Sequence, residues 1–172
     1  MNLKDKIGIT ENFPKEGISF KDINPLLADP EAYREAIDYF YNVAKALDIN
    51  VIIAPESRGY LFGAPLAYRL GAALVPLRKA GKLPGEVVKQ EYALEYGTNA
   101  VELQVGAVKT GDRVLIVDDL IATGGTTKAA IDLIEKCGGE VCGACFVIEL
   151  TDLGGRELLS DYYVTSLITY NC

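Results

Sequence analysis

The sequence contains no histidine. Any general acid or base working near neutral pH must therefore be a carboxylate, lysine, tyrosine or cysteine whose pKa its surroundings have tuned. The Walker spacing G-x-x-x-x-G-K-[ST] is missing, which excludes that kind of phosphate loop, and no G-x-G-x-x-G follows an apolar run, which speaks against a dinucleotide site. No apolar run approaches the length of a membrane span, and the opening Met1-Asn2-Leu3-Lys4-Asp5-Lys6 lacks the apolar core of a signal peptide. A cytoplasmic protein with no membrane partner is expected. Cations are in deficit: 17 Lys plus Arg against 24 Asp plus Glu leave a net charge of −7. Nonspecific nucleic-acid binding needs a broad cationic surface and is disfavoured, whereas a local cationic pocket is not.

Cysteine is sparse. Four residues, Cys137, Cys142, Cys145 and Cys172, agree with a reducing compartment. Cys142 and Cys145 have the C-x-x-C spacing of zinc and redox sites. Yet VCGACFVIEL at 141–150 reads as a buried strand, where positions three apart face opposite sides. With no histidine and no second cysteine pair, a metal site cannot be completed, and free core thiols are expected.

The 172 residues, 49% hydrophobic and 24% charged, suit a single well-buried domain spanning 1–172. Residues 1–29 read as irregular, with a short alternating stretch Ile18-Ser19-Phe20-Lys21. Asp29-Pro30 opens a helix, Asp as N-cap and Pro at the first position. Tyr33, Ala36, Ile37, Phe40, Tyr41, Ala44 and Leu47 then keep helical period along one buried stripe. Strands are expected at 51–54 and 72–77, with a helix between them that ends near Leu70. The stretch RKAGKLPGEVVKQEY at 78–92 has no clean periodicity and reads as a long flexible loop, of the kind that often serves as a functional lid. Before residue 90, Arg78, Lys79, Lys82 and Lys89 against Glu86 give it a local charge of +3, which favours an anion. Short strands near 93–96 and 101–104 follow. A helix over 128–137 stops at Gly138-Gly139. A strand at 141–150, a short helix at 155–160 and a last strand at 162–168 complete the chain. Alternating β and α elements predict an α/β fold with a doubly wound, mostly parallel sheet and ligand at the carboxyl ends of its strands.

One of those ends is highly informative. VLIVDDLIATGGTT at 114–127 begins as an apolar, β-branched run of the buried parallel type and stops at two adjacent carboxylates, Asp118 and Asp119. A short loop, Ala122 and Thr123, closes on Gly124, Gly125, Thr126 and Thr127, where a helical pattern begins. Backbone N–H groups of small residues at a helix start suit a phosphate monoester. Acids off a strand end suit ribose hydroxyls, or a magnesium ion bound with them. Two other strand ends carry Glu56-Ser57-Arg58-Gly59 and the cationic 78–92 stretch. A sugar with phosphate at both ends would satisfy all three.

The run at 114–127 resembles the signature of the type I phosphoribosyltransferases, which use phosphoribosyl pyrophosphate (PRPP). FPKEGISFKDINPLL at 13–27, ESRGYLFG at 56–63, RKAGKLPGE at 78–86, YALEYG at 92–97 and IELTDLGGRE at 148–157 resemble the adenine-using branch of that family, in order and over nearly the whole chain. The resemblance implies a transferase that moves the 5-phosphoribosyl group of PRPP to adenine, giving AMP and pyrophosphate, with Mg²⁺ as cofactor, carried mainly by PRPP and touching Asp118 and Asp119 at most. It implies a homodimer and a small hood formed by the N-terminal segment, 1–29, and the last residues. Ala122, Thr123, Gly124, Gly125, Thr126 and Thr127 would wrap the 5′-phosphate, and Asp118 and Asp119 would face the ribose hydroxyls. Glu56, Ser57, Arg58 and Gly59 would form a pyrophosphate loop, Arg58 reaching to pyrophosphate or base. Arg78, Lys79 and Lys82 would engage pyrophosphate. Phe20 and Leu150 would sandwich adenine while backbone groups of Ser19 and Lys21 read its edge. Glu95 matches the family's catalytic carboxylate. Departures are small: Glu56 stands where Asp is common, Tyr60 where Phe is frequent, Lys21 where Arg is frequent. The same chemistry on hypoxanthine, guanine or xanthine, and a non-catalytic PRPP-binding regulator, are the alternatives.

Overall fold

The computed structural model describes residues 1–94 and 96–171; the expected catalytic carboxylate, Glu95, lies outside the described residues, as does Cys172. A seven-stranded sheet organises the chain. Its five parallel strands are β3 (Val51–Pro55), β4 (Ala73–Lys79), β7 (Arg113–Ile121), β8 (Glu140–Leu150) and β9 (Val164–Tyr170). An antiparallel hairpin, β5 (Val87–Ala93) and β6 (Thr98–Gln104), extends the β4 edge, so the order is β5-β6-β4-β3-β7-β8-β9.

Alternation along β7 sorts two cores. Leu115 and Val117 pack with α2 (Pro30–Ala46) and α3 (Gly59–Leu70), whereas Val114 and Ile116 pack with α4 (Gly125–Lys136). This is the expected mostly parallel, doubly wound arrangement, and strands covered on both faces explain the continuous apolar runs. The start of α2 is as read from the sequence: the Asp29 side chain accepts from the N–H groups of Glu31 and Ala32, and Pro30 is its first residue. Leu47 lies one residue past the helix end. Cys145 is buried, Cys137 and Cys142 are half-buried, and all three are free thiols; burial pushes the Cys145 thiol up.

Three elements differ from expectation. The 78–92 stretch is not one long loop: β4 runs to Lys79, a turn occupies residues 80–86, and β5 pairs with β6 over seven residues. Its half-buried positions Val88, Gln90 and Tyr92 alternate with exposed Lys89, Glu91 and Ala93. That is a strand pattern diluted by polar residues. The neighbouring strand expected at 93–96 is correspondingly displaced, since β5 ends at Ala93. Secondly, residues 1–29 are ordered into a turn at Leu3–Lys6, the antiparallel pair β1 (Gly8–Glu11) and β2 (Ser19–Asp22), and α1 (Asn24–Ala28). Four-residue strands are too short to announce a period. Thirdly, β7 continues through Asp118 and Asp119 to Ile121, because Asp118, Leu120 and Ile121 still find partners on β8. The acids sit in the last part of the strand rather than beyond it.

Candidate active site

The carboxyl ends of β3, β4 and β7 converge as the sequence pattern requires. A cavity of about 310 Å³ lies between them, lined by Glu56, Ser57 and Arg58 from β3 and its following turn, Arg78 and Lys79 from β4, and Asp118 and Asp119 from β7. A second cavity of about 200 Å³ lies beside it, formed by residues 120–127 with Asp118. Asp118, Leu120 and Thr126 line both, so the two volumes adjoin.

The smaller cavity lies at the stretch expected to form a phosphate cradle. Gly124 caps α4 with φ of 82°, a left-handed conformation that glycine adopts freely, and a Cβ there would lie 3.1 Å from the Gly155 backbone. No side chain caps α4. The N–H groups at its first turn are therefore left for a ligand, and the helix dipole favours an anionic one.

The acids are unequal. Asp119 accepts from Arg58 Nε at 2.5 Å, while one Asp118 oxygen accepts from the backbone N–H of Asp119 at 2.8 Å. Burial, reinforced by the negative charge of Asp119, holds the Asp118 carboxyl well above the usual carboxylate range. Gly59 makes this close packing feasible, since a Cβ there would lie 2.9 Å from an Asp118 oxygen. Among the described residues no group of three or more His, Cys, Asp or Glu side chains could hold a metal ion. A pair of acids beside an anion cradle fits magnesium that arrives with phosphates and keeps most of its oxygen ligands from them and from water.

Glu56 ties two strand ends together. Its Oε1 accepts from the backbone N–H of Lys79 at 2.7 Å and from Arg78 Nε at 3.3 Å. The first of these, aided by the Arg78 charge, lowers the Glu56 pKa against the opposing effect of burial. The Glu56–Ser57 peptide is cis. Lys82 is exposed in the turn and does not line the larger cavity; its carbonyl accepts from Arg78 at 3.5 Å.

Residues of the N-terminal segment and of the ends of β8 and β9 meet this site at its rim. Arg58 has its guanidinium carbon 6.0 Å from the Phe20 ring centroid, and Phe13 stacks edge-on to Phe20 at 5.2 Å. Lys21 Nζ donates to the Ser19 hydroxyl at 2.7 Å and lies 4.9 Å from the Tyr170 ring centroid. Leu150 ends β8 directly beside Tyr170 of β9. Ser19, Phe20, Lys21 and Leu150 thus belong to one region across β2, β8 and β9, although neither Phe20 nor Leu150 lines the 310 Å³ cavity.

Two residues that sequence reasoning passed over are brought to the site. Tyr92 of β5 lines the larger cavity and its hydroxyl accepts from Thr126 Oγ1 at 3.3 Å. Gly155, first residue of α5 (Gly155–Leu158), packs against the back of the cradle. Tyr92 is one of ten tyrosines, and only the hairpin's path over α4 singles it out.

The phosphoribosyl transferase domain family matches residues 22–171 of the chain. The adenine phosphoribosyltransferase of Clostridium acetobutylicum is 53% identical to it over 171 residues, 99% of each protein. Among solved structures, the chain resembles adenine phosphoribosyltransferase from Thermoanaerobacter pseudethanolicus with a TM-score of 0.94 and 49% identity over 98% of each chain. The enzyme from Saccharomyces cerevisiae, solved with an imino-altritol bisphosphate and adenine, gives a TM-score of 0.90 and 43% identity over 96% of each chain.

Proposed function

The chain belongs to the phosphoribosyltransferase family, in its adenine phosphoribosyltransferase branch, and we infer that it transfers the 5-phosphoribosyl group of PRPP to adenine, giving AMP and pyrophosphate in purine salvage. The observation that carries this reading is the convergence of an anion cradle, a carboxylate pair and a cationic strand end around two adjoining cavities. PRPP needs just these: a phosphate monoester at one end, a diol in the middle and pyrophosphate at the other.

In this reading the first turn of α4, with residues 122–127, holds the 5′-phosphate. Asp118 and Asp119 accept from the ribose hydroxyls. Arg58, Arg78, Lys79 and Lys82 face the pyrophosphate, with Ser57 and Gly59 shaping the turn and Glu56 aiming Arg78 while it holds the Lys79 backbone. The bond that breaks joins the anomeric carbon to pyrophosphate, and positive charge develops on the sugar as negative charge leaves. Arginine and lysine aimed at the leaving group stabilise that departure, and nearby carboxylates favour the cationic sugar. Mg²⁺ bound with PRPP would neutralise further leaving-group charge. Adenine enters against Phe20 and Leu150, with backbone groups of Ser19 and Lys21 at its edge, and must shed a proton. Glu95 is assigned that acid–base role by its match to the family's catalytic carboxylate.

A homodimer is part of the same reading. Leu61 and Tyr68 on α3 and Leu74 on β4 are exposed, Tyr68 at 92%, and an apolar surface of this kind suits a partner subunit. Free thiols at Cys137, Cys142 and Cys145 suit the cytoplasm. No helix among the described residues is long and apolar enough to cross a membrane. The deciding measurement is a steady-state assay with PRPP, Mg²⁺ and each purine in turn, expected to give turnover with adenine far above the others. Faster consumption of hypoxanthine or guanine would sink the base assignment, and a stable monomer by light scattering would sink the dimer.

A further inference from the structure

We propose that the Tyr92 hydroxyl, which belongs to the hairpin and not to the cradle, is a positioning group for the 5′-phosphate and acts through Thr126. The inference rests on the reading of residues 122–127 as the 5′-phosphate cradle and adds a residue to it. Thr126 Oγ1 donates to Tyr92 Oη at 3.3 Å. Thr126 lines both adjoining cavities and Tyr92 lines the larger one, so the hydroxyl pair stands on the boundary between cradle and main cavity. The Tyr92 ring is held there by packing. A Cβ built on Gly125 would touch its Cδ2 at 3.6 Å, and the ring packs against the α4-side core.

The chemistry follows from counting protons. Each hydroxyl has one proton to donate and two lone pairs. Without ligand, Thr126 gives its only proton to Tyr92. A phosphate is an acceptor at every oxygen, so Thr126 can hold it only by turning that proton toward the cradle. The Tyr92 proton can then rotate to fill the lone pair that Thr126 leaves facing it. The order becomes Tyr92 O–H to Thr126 Oγ1, and Thr126 O–H to phosphate. No covalent bond forms or breaks, and each proton stays on its own oxygen. Donation into Thr126 polarises its O–H and strengthens its bond to the phosphate, because hydrogen bonds in a chain reinforce one another. A phenol, far more acidic than an alkyl hydroxyl, is the better first donor in such a chain.

Geometry extends the effect beyond one bond. Tyr92 sits in β5, which packs along α4, and only three residues before Glu95 in the chain. A filled cradle therefore keeps the hairpin strand tied to the helix that holds the phosphate, with the donor order reversed. Tyr92 itself need not touch substrate.

The test uses calorimetric titration of the full chain and its variants with ribose 5-phosphate and, separately, with magnesium pyrophosphate. Tyr92→Phe keeps the ring and its packing and deletes only the hydroxyl. It is expected to weaken ribose 5-phosphate about 2–4-fold, because the Tyr92–Thr126 bond is present with and without ligand and the variant forfeits only its reinforcement of the phosphate bond, and to leave pyrophosphate unchanged. On a Thr126→Val background, where no hydroxyl remains to receive the proton, Tyr92→Phe should have no further effect. Wild-type affinity of Tyr92→Phe for ribose 5-phosphate, equal weakening of pyrophosphate, or full additivity with Thr126→Val would each overturn the proposal. Failure of the unmutated protein to bind ribose 5-phosphate would overturn the cradle reading and this proposal with it. Normal binding by the unmutated protein with an unaffected Tyr92→Phe would overturn the proposal alone.

Discussion

Gly155→Ala is a one-methyl substitution outside the proposed substrate contacts, and its effect can be worked out from distances. A Cβ on Gly155 would stand 2.4 Å from the carbonyl oxygen of Ala122, 2.8 Å from Ile121 Cγ1 and 3.1 Å from Ile121 Cδ1. The nearest atom is backbone, in the loop between β7 and α4, and cannot swing aside as the end of a side chain could. Two effects oppose each other. Alanine favours a helix over glycine by up to about 1 kcal/mol in a helix interior, and by less at the first residue of a four-residue helix. Overpacking costs about 1–3 kcal/mol when the neighbours must shift. Overpacking wins, and a domain of this size should lose about 2–4 °C of Tm for each kcal/mol.

The displaced atom matters more than the lost stability. Ala122 opens the cradle, so the shift that relieves the clash moves the loop on which the 5′-phosphate would rest. A misplacement of about 1 Å in such a site can cost on the order of 100-fold in rate. Gly155→Ala should therefore lower kcat/KM for PRPP by more than its fall in Tm would suggest, at a temperature where the variant is still fully folded. Thermal melting and steady-state kinetics with adenine saturating would measure both. A variant that melts with the wild type and keeps its kcat/KM would refute the reasoning, because the close contact would then be relieved away from the cradle.

Three further outcomes are expected. Glu95→Gln should lower kcat strongly while leaving PRPP affinity nearly intact; unchanged turnover would remove Glu95 from its role. Asp118→Asn should stabilise the ligand-free protein at neutral pH yet weaken PRPP binding. Burial raises the Asp118 pKa in the fold, so its ionisation costs stability above the unfolded value of about 3.9, and the gain in Tm should vanish in acid. Arg156→Ala should act in the opposite sense. Arg156 makes two bonds to the buried Glu149 and lowers its pKa, so this stabilisation is present above the unfolded value of about 4.3 and fades as pH falls through the lower folded one. The variant should lose about 1–3 kcal/mol at pH 7, and a Tm deficit that persisted unchanged in strong acid would contradict this account.

Legibility in the sequence followed the range of each interaction. Residues 114–127 were readable because each signal there is local: β-branched residues for the strand, small residues for the cradle, acids between them. The helix opened by Asp29-Pro30 was readable for the same reason. The hairpin was not, because β5 alternates through Val88, Gln90 and Tyr92, and a polar residue in the middle erases the period. Tyr92 meets Thr126 across 34 residues, and Arg156 folds back on Glu149 beneath a chain that read only as a short helix. Gly155 was covered only by the resemblance of the stretch 148–157, since what makes it special is the carbonyl of Ala122 on another loop. Phe20, Leu150 and Glu95 came from family resemblance; their residue types alone would have read as core and solvated charge.

The ligand-free charge arrangement bears on how an acidic protein selects a polyanion. Arg58 is held by Asp119 and Arg78 by Glu56, so two of the cations assigned to pyrophosphate already have carboxylate partners. Asp118 is relieved in a different way, by a pKa raised toward protonation. A simple anion drawing Arg58 away would leave Asp119, only 6% exposed, without its counter-charge, and a bare buried carboxylate is costly. A ligand that offers hydroxyl donors to the acids while its anionic end takes the arginine leaves no group without a partner. A ribose carrying pyrophosphate does both at once. In the proposed reading the acid pair would act as a filter, penalising anions that lack a diol before any base has bound.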